Sequence, residues 1–135
     1  GTYTAWSVLP TSTPGQAKVN WGGSCPNPLD STSPGYCFIG WQPEGDIYYQ
    51  YGVVTVPNAS GQANSFSADA QSDIDGDGNF NIWGIQMPNI AGSFTAGAGP
   101  NGCASGDVRN VATNAPGLYG QVGPCVSADN GRNVF

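Results

Sequence analysis

The chain has 135 residues, four cysteines, no histidine and a formal net charge of −6, a length that predicts a single globular domain over residues 1–135. Only 9% of residues are charged, against about 25% in an average soluble domain. The three cations, Lys18, Arg109 and Arg132, are too few and too scattered to neutralise phosphates, which argues against nucleic acid as a partner. Without histidine, the Ser-His-Asp arrangement and histidine-based zinc sites are excluded. No apolar run is long enough to cross a bilayer, and no signal peptide precedes Gly1, so a mature chain without a membrane span is expected.

Abundant Gly, Pro and aromatic residues, with few helix formers, predict a secreted, mainly β protein. In chain order, residues 2–9 alternate in part and predict a short strand or the end of a preceding element. Residues 10–35 carry turn chemistry throughout and predict a loop. Ile47–Val56, aromatic and β-branched, is the clearest strand. Pro57–Gly61 makes a turn, and Asn64–Gln71 forms a second strand. There Phe66, Ala68 and Ala70 face one way and Ser65, Ser67, Asp69 and Gln71 the other, the pattern of a half-buried strand. An acidic turn over residues 73–79 leads into a third strand at Phe80–Met87. The fold class is thus mainly β, an antiparallel meander of three to four strands with long loops. Residues 117–122 form one further candidate strand.

Cys25, Cys37, Cys103 and Cys125 allow three disulfide pairings. The sequence-local pairing would close loops of about a dozen and two dozen residues, each stabilising by roughly 3 kcal/mol. No CxxC spacing and no histidine accompany them to make a metal site. Disulfides imply an oxidising location outside the cytoplasm.

Three features occur in fixed order: Gly40-Trp41-Gln42-Pro43-Glu44-Gly45 before an aromatic strand, Phe66-Ser67-Ala68-Asp69-Ala70, and Ser72-Asp73-Ile74-Asp75-Gly76-Asp77-Gly78. The block over about residues 37–87 resembles the globular head of type IV pilins and pilin-like proteins of the deltaproteobacterial kind. The resemblance implies a structural subunit of an extracellular, cell-surface filament of a Gram-negative bacterium, with other pilin subunits as partners. It also implies a C-terminal disulfide loop corresponding to Cys103–Cys125. The sequence departs from the family in lacking the long N-terminal hydrophobic helix. That helix is then expected from a part of the subunit outside these residues, or from a separate short helical pilin chain on which the head docks. The apolar face of the sheet would receive it.

Asp73, Asp75 and Asp77, with Gly78 and Asn79, repeat the first half of an EF-hand loop, whose ligands sit at positions 1, 3, 5 and 7. Position 12 is Gly84, so the bidentate glutamate of that loop is missing, and Asn81 is the polar residue nearby. The five residues Asp73, Asp75, Asp77, Asn79 and Asn81 are therefore the candidate Ca²⁺ ligands. The plainer reading is a solvated turn in which Asp and Gly permit positive φ.

Trp6, Trp21, Trp41 and Trp83, with Tyr48, Tyr49 and Tyr51, read as core or as a sugar-binding platform. The alternative function is thus a secreted carbohydrate-binding or adhesin module, Ca²⁺-dependent or built on aromatics. Glu44 or Asp46 with Asp69 would be the carboxylates of a glycosidase pair, but nothing in the sequence positions them, and no enzymatic activity is expected. Asn58-Ala-Ser60 is a glycosylation sequon, and residues 11–13 and 31–33 are candidate O-glycosylation stretches.

Overall fold

A computed structural model of the chain describes residues 6–25, 28, 35–57, 63–89 and 99–125. The main element is a five-stranded antiparallel sheet in the order β1-β4-β5-β6-β7. Its strands are β1 (Trp6–Leu9), β4 (Gln50–Pro57), β5 (Ala63–Ser72), β6 (Asn81–Met87) and β7 (Gly123–Pro124). Two residue pairs, β2 (Val19–Asn20) and β3 (Asp46–Ile47), form a small second sheet, and one helical turn, α1, spans Gly35–Phe38.

The meander β4-β5-β6 is the one the sequence predicts, with two adjustments at its start. Strand 47–56 divides, because the chain leaves the small sheet after Ile47 and enters the main sheet at Gln50. Strand 2–9 is found at Trp6–Leu9, its earlier residues lying outside those described. The strand expected at 117–122 is absent. Gly117 (φ 81°) and Gly120 (φ 72°) hold left-handed conformations that break an extended run. The pairing with β6 is made instead by Gly123–Pro124, with Trp83 opposite Pro124.

The alternation along β5 is present, but burial runs opposite to polarity. Ser65, Ser67 and Asp69 are buried, together with Gln50 and Gln86 of the neighbouring strands. Phe66, Ala68 and Ala70 are only half-buried. A loop accounts for the inversion, since residues 99–108 lie across the polar side. Loop backbone brought onto a sheet must find hydrogen-bond partners, and an apolar surface offers none. Here the side chains supply them. Asp69 accepts from Asn101 N at 3.0 Å, Asn101 Nδ2 at 3.1 Å and Cys103 N at 3.1 Å. Gln86 donates to Ala104 O at 2.9 Å and accepts from Gly106 N at 3.0 Å. Further along, Gln50 donates to Pro10 O at 2.7 Å.

The same register row shows why the loop can come so close. Gly52, Asp69, Gly84 and Gly123 stand directly opposite one another across four strands. A Cβ on Gly84 would meet Cys103 Sγ at 2.9 Å and Cys125 Sγ at 3.0 Å, and one on Gly52 would collide with Pro100. The glycines thus clear a channel, and the one side chain left in it is the acceptor. Two disulfides, Cys25–Cys37 and Cys103–Cys125, complete the frame. The second packs with Ile82, Val108 and Leu118 into a small core beneath the loop.

Burial pushes the Asp69 carboxyl above its ordinary value, and the N–H donors of Cys103 and Asn101 offset only part of that rise. The folded state therefore holds the Asp69 proton more tightly than the unfolded chain does. Its contribution is fully present below the ordinary value of 3.8 and declines as pH rises through the raised one. Asp69→Ala leaves the buried backbone N–H groups of Asn101 and Cys103 without their acceptor and is expected to cost about 2–5 kcal/mol in urea denaturation. A loss below about 1 kcal/mol would contradict this role. Asp69→Asn removes the titration, so the stability of the wild type relative to that variant should fall as pH rises from acid towards neutral.

Candidate functional site

The other side of the sheet is covered only at its β1–β4 end, where Leu9, Trp21 and Tyr36 form a buried cluster with Trp6, Ile47 and Tyr51. Tyr51, Val53, Ala68, Ala70, Trp83 and Ile85 present one continuous apolar surface, which follows from the registers Val53↔Ala68↔Ile85 and Tyr51↔Ala70↔Trp83. It forms a groove of about 390 Å³ whose lining also includes Trp6, Tyr36, Ile39, Trp41 and Val122. Ile39 is 64% exposed and Val122 63%, so the groove borders are bare hydrocarbon. An exposed apolar surface of this kind marks a place of contact.

One wall of the groove is built by local sequence. Helix α1 ends in a Schellman turn, with Gly40 N donating to Cys37 O and Trp41 N to Tyr36 O, both at 3.0 Å. That turn requires the left-handed conformation Gly40 adopts (φ 67°). It carries Trp41 back over the sheet, 5.2 Å from Trp21 and 5.1 Å from Tyr51 between ring centroids. Tyr36 lies 4.7 Å from Trp6 and 5.2 Å from Trp21. Gly35 makes this possible, because a Cβ there would collide with the Trp6 ring. The Cys25–Cys37 disulfide ties the Trp21 segment to α1.

Most of these rings meet edge to face, at interplanar angles of 64–87° for Trp21 and Trp41 with Tyr51, Tyr36 and each other, apart from the tilted Tyr36–Trp41 pair. They spend their faces on one another, as core aromatics do, rather than lying coplanar as a flat platform. Burial pushes the phenols of Tyr36, Tyr49 and Tyr51 above their ordinary value, with the charge of Asp69 adding to the shift at Tyr36. The wall is therefore uncharged at neutral pH.

The acidic turn lies at the end of the β5–β6 hairpin. One carboxylate oxygen each from Asp73, Asp75 and Asp77 falls within 4.8 Å of the others, an arrangement able to hold a metal ion. Asp73 accepts from Gly76 N at 2.9 Å and Gly78 N at 3.2 Å, which folds the turn around its own carboxylate. Gln16 braces it from outside, donating to Asp75 O at 2.9 Å. Asn79 donates through both its backbone and its side chain to Asp77, holding that carboxyl below its usual range. Asn81 belongs to β6 opposite Ser72, and its buried Oδ1 has no hydrogen-bond partner. Of the five candidate ligands, the structure gathers the three aspartates; Asn79 serves Asp77, and Asn81 is part of the sheet.

The remaining sequence candidates are separated. Glu44 and Asp46 are exposed, whereas the buried Asp69 carboxylate is occupied by the loop. Residues 11–13 are exposed, while Asn58 and residues 31–33 lie outside the described residues. Sequence reasoning missed Asn101, Gln50 and Gln86, whose polar side chains close the covered face. The one available signal was their placement beside strand residues of the same polarity. No protein-family model matches the chain, and neither a curated protein nor a solved structure matches it.

Proposed function

We propose that this chain is the globular head of a subunit of an extracellular type IV pilus-like filament, and that the open sheet face seats pilin helices while neighbouring heads pack around it. The observation that carries this reading is the division of the sheet: its polar side is closed by a disulfide-bonded loop, while on its apolar side the Trp21, Tyr36 and Trp41 cluster covers the β1–β4 end and leaves an open groove over Ala68, Ala70, Trp83 and Ile85. The function is structural, display and packing rather than catalysis. Two disulfides fit an oxidising, extracellular setting, and no helix among the described residues is long and apolar enough to cross a membrane. The helical partner is then another part of the subunit or a separate short pilin chain on a Gram-negative cell surface. The acidic turn, at the far end of the hairpin, is a Ca²⁺ site that stiffens an outward or subunit-facing loop.

Ile39 and Val122 are exposed in the isolated head, so Ile39→Asp with Val122→Asp should change its stability by only about 0.5 kcal/mol per site. Electron microscopy of heads expressed with their helical partner should show filaments for the wild type and none for the double variant. Wild-type heads that stay monodisperse, or that bind a polysaccharide with a tryptophan fluorescence shift, would favour the carbohydrate-binding alternative.

Ca²⁺ added to chelated protein should raise the melting midpoint, since saturation at about 100 times Kd stabilises by roughly 2.7 kcal/mol. Asp75→Asn should remove the shift; an unchanged wild-type midpoint would eliminate the metal.

A further inference from the structure

Asn101 is followed by Gly102. In an Asn-Gly pair the backbone amide reaches the preceding side-chain carbonyl with little obstruction, because glycine has no Cβ and wide conformational freedom. The fold restrains both reacting groups. Gly102 N donates to Gly99 O at 3.1 Å, closing the turn over residues 99–102. The departing amide, Asn101 Nδ2, donates to Gln50 O and Asp69 O at 3.2 Å and to Asp69 Oδ1 at 3.1 Å. Asn101 is only 6% exposed, and two residues later Cys103 is fastened to Cys125.

We propose that Asn101 is a latent deamidation site kept silent by the closed loop, and that reduction of Cys103–Cys125 by a thiol releases it. Cys103 and Cys125 are fully buried, so a dithiol attacks during a transient lifting of the loop. The disulfide takes two electrons and two protons from the dithiol, which becomes oxidised, and the loop, no longer tied, stays lifted from Asp69. Gly102 N, giving up its proton, bonds to Asn101 Cγ. The Cγ–Nδ2 bond breaks, and ammonia leaves. Water then opens the cyclic imide at either carbonyl, giving aspartate or isoaspartate. The net change consumes one water and releases one ammonia.

The product does not fit the closed state. An acid at 101 replaces a three-way donor with an acceptor and sets a second carboxylate against that of Asp69. Isoaspartate also lengthens the backbone between Asn101 and Gly102, displacing Cys103 N from its acceptor. Opening thus becomes irreversible, and the loop keeps a chemical record of having been reduced.

Peptide mapping by mass spectrometry, at mildly alkaline pH, measures the conversion at position 101. The oxidised protein and the same protein held in dithiothreitol are compared. Conversion should be at least about tenfold slower in the oxidised protein, as expected for a group that reacts only from an opened state. Oxidised Asp69→Asn, kept where tryptophan fluorescence reports a folded sheet, should convert at an intermediate rate. On removal of the reductant, unmodified chains should re-form Cys103–Cys125, whereas converted chains should fail to. Equal rates in oxidised and reduced protein, or full recovery of the disulfide by converted chains, would overturn the proposal.

Discussion

The buried carboxylate of Asp69 is the interaction on which the rest of the structure depends. Burying a carboxylate is costly unless donors surround it. This one accepts from two backbone N–H groups and one amide, all from Asn101 and Cys103. The dependence runs both ways. A loop with little helix or strand of its own has backbone groups that need partners, and Asp69 meets that need at the centre of the sheet. The disulfide from Cys103 to Cys125, 22 residues apart, limits the unfolded alternatives by roughly 3 kcal/mol. Together they make an irregular segment part of a rigid layer.

This arrangement decides which face remains for contact. A sheet of this size needs cover on at least one side. The polar side obtains it through Asp69, Gln86 and Gln50, each bonded to a loop carbonyl or amide. Apart from Ile82, which packs beneath the loop, the large hydrophobic side chains of β5 and β6 are left on the other side with Tyr51 and Val53 of β4, beside an aromatic wall raised by the Cys25–Cys37 staple and the Gly40 turn. In an ordinary two-layer domain the apolar face would be the buried one. Here only its β1–β4 end is buried, and the exposure of the remaining groove is intelligible if the rest of the second layer comes from other helices, which is the reason the filament reading is favoured over a self-contained binding module.

Much of this was legible in the sequence. The β-branched run at residues 51–56, the Asp/Gly turn and the Phe80–Met87 strand specify a meander through local preference alone. Two features escaped. The strand at 117–122 was displaced to Gly123–Pro124, because two left-handed glycines interrupt a segment whose composition reads as extended. The burial of Ser65, Ser67 and Asp69 leaves no mark in the sequence, because periodicity reports that a strand has two different sides without saying which one is covered. That choice is made by residues more than thirty positions away, Asn101 and Cys103, through hydrogen bonds that leave no periodic trace. The acidic turn is the converse case: its three aspartates converge as their spacing implies, since a hairpin turn is a local structure.

Native-state hydrogen exchange tests the central claim most directly. If Asp69 anchors the loop to the sheet, the amides of Asn101 and Cys103 should exchange as slowly as those in the middle of β5 and β6. They should also lose protection together in Asp69→Asn. Exchange of these two amides at the rate of exposed loop residues, with the β5 and β6 amides still protected, would contradict the account.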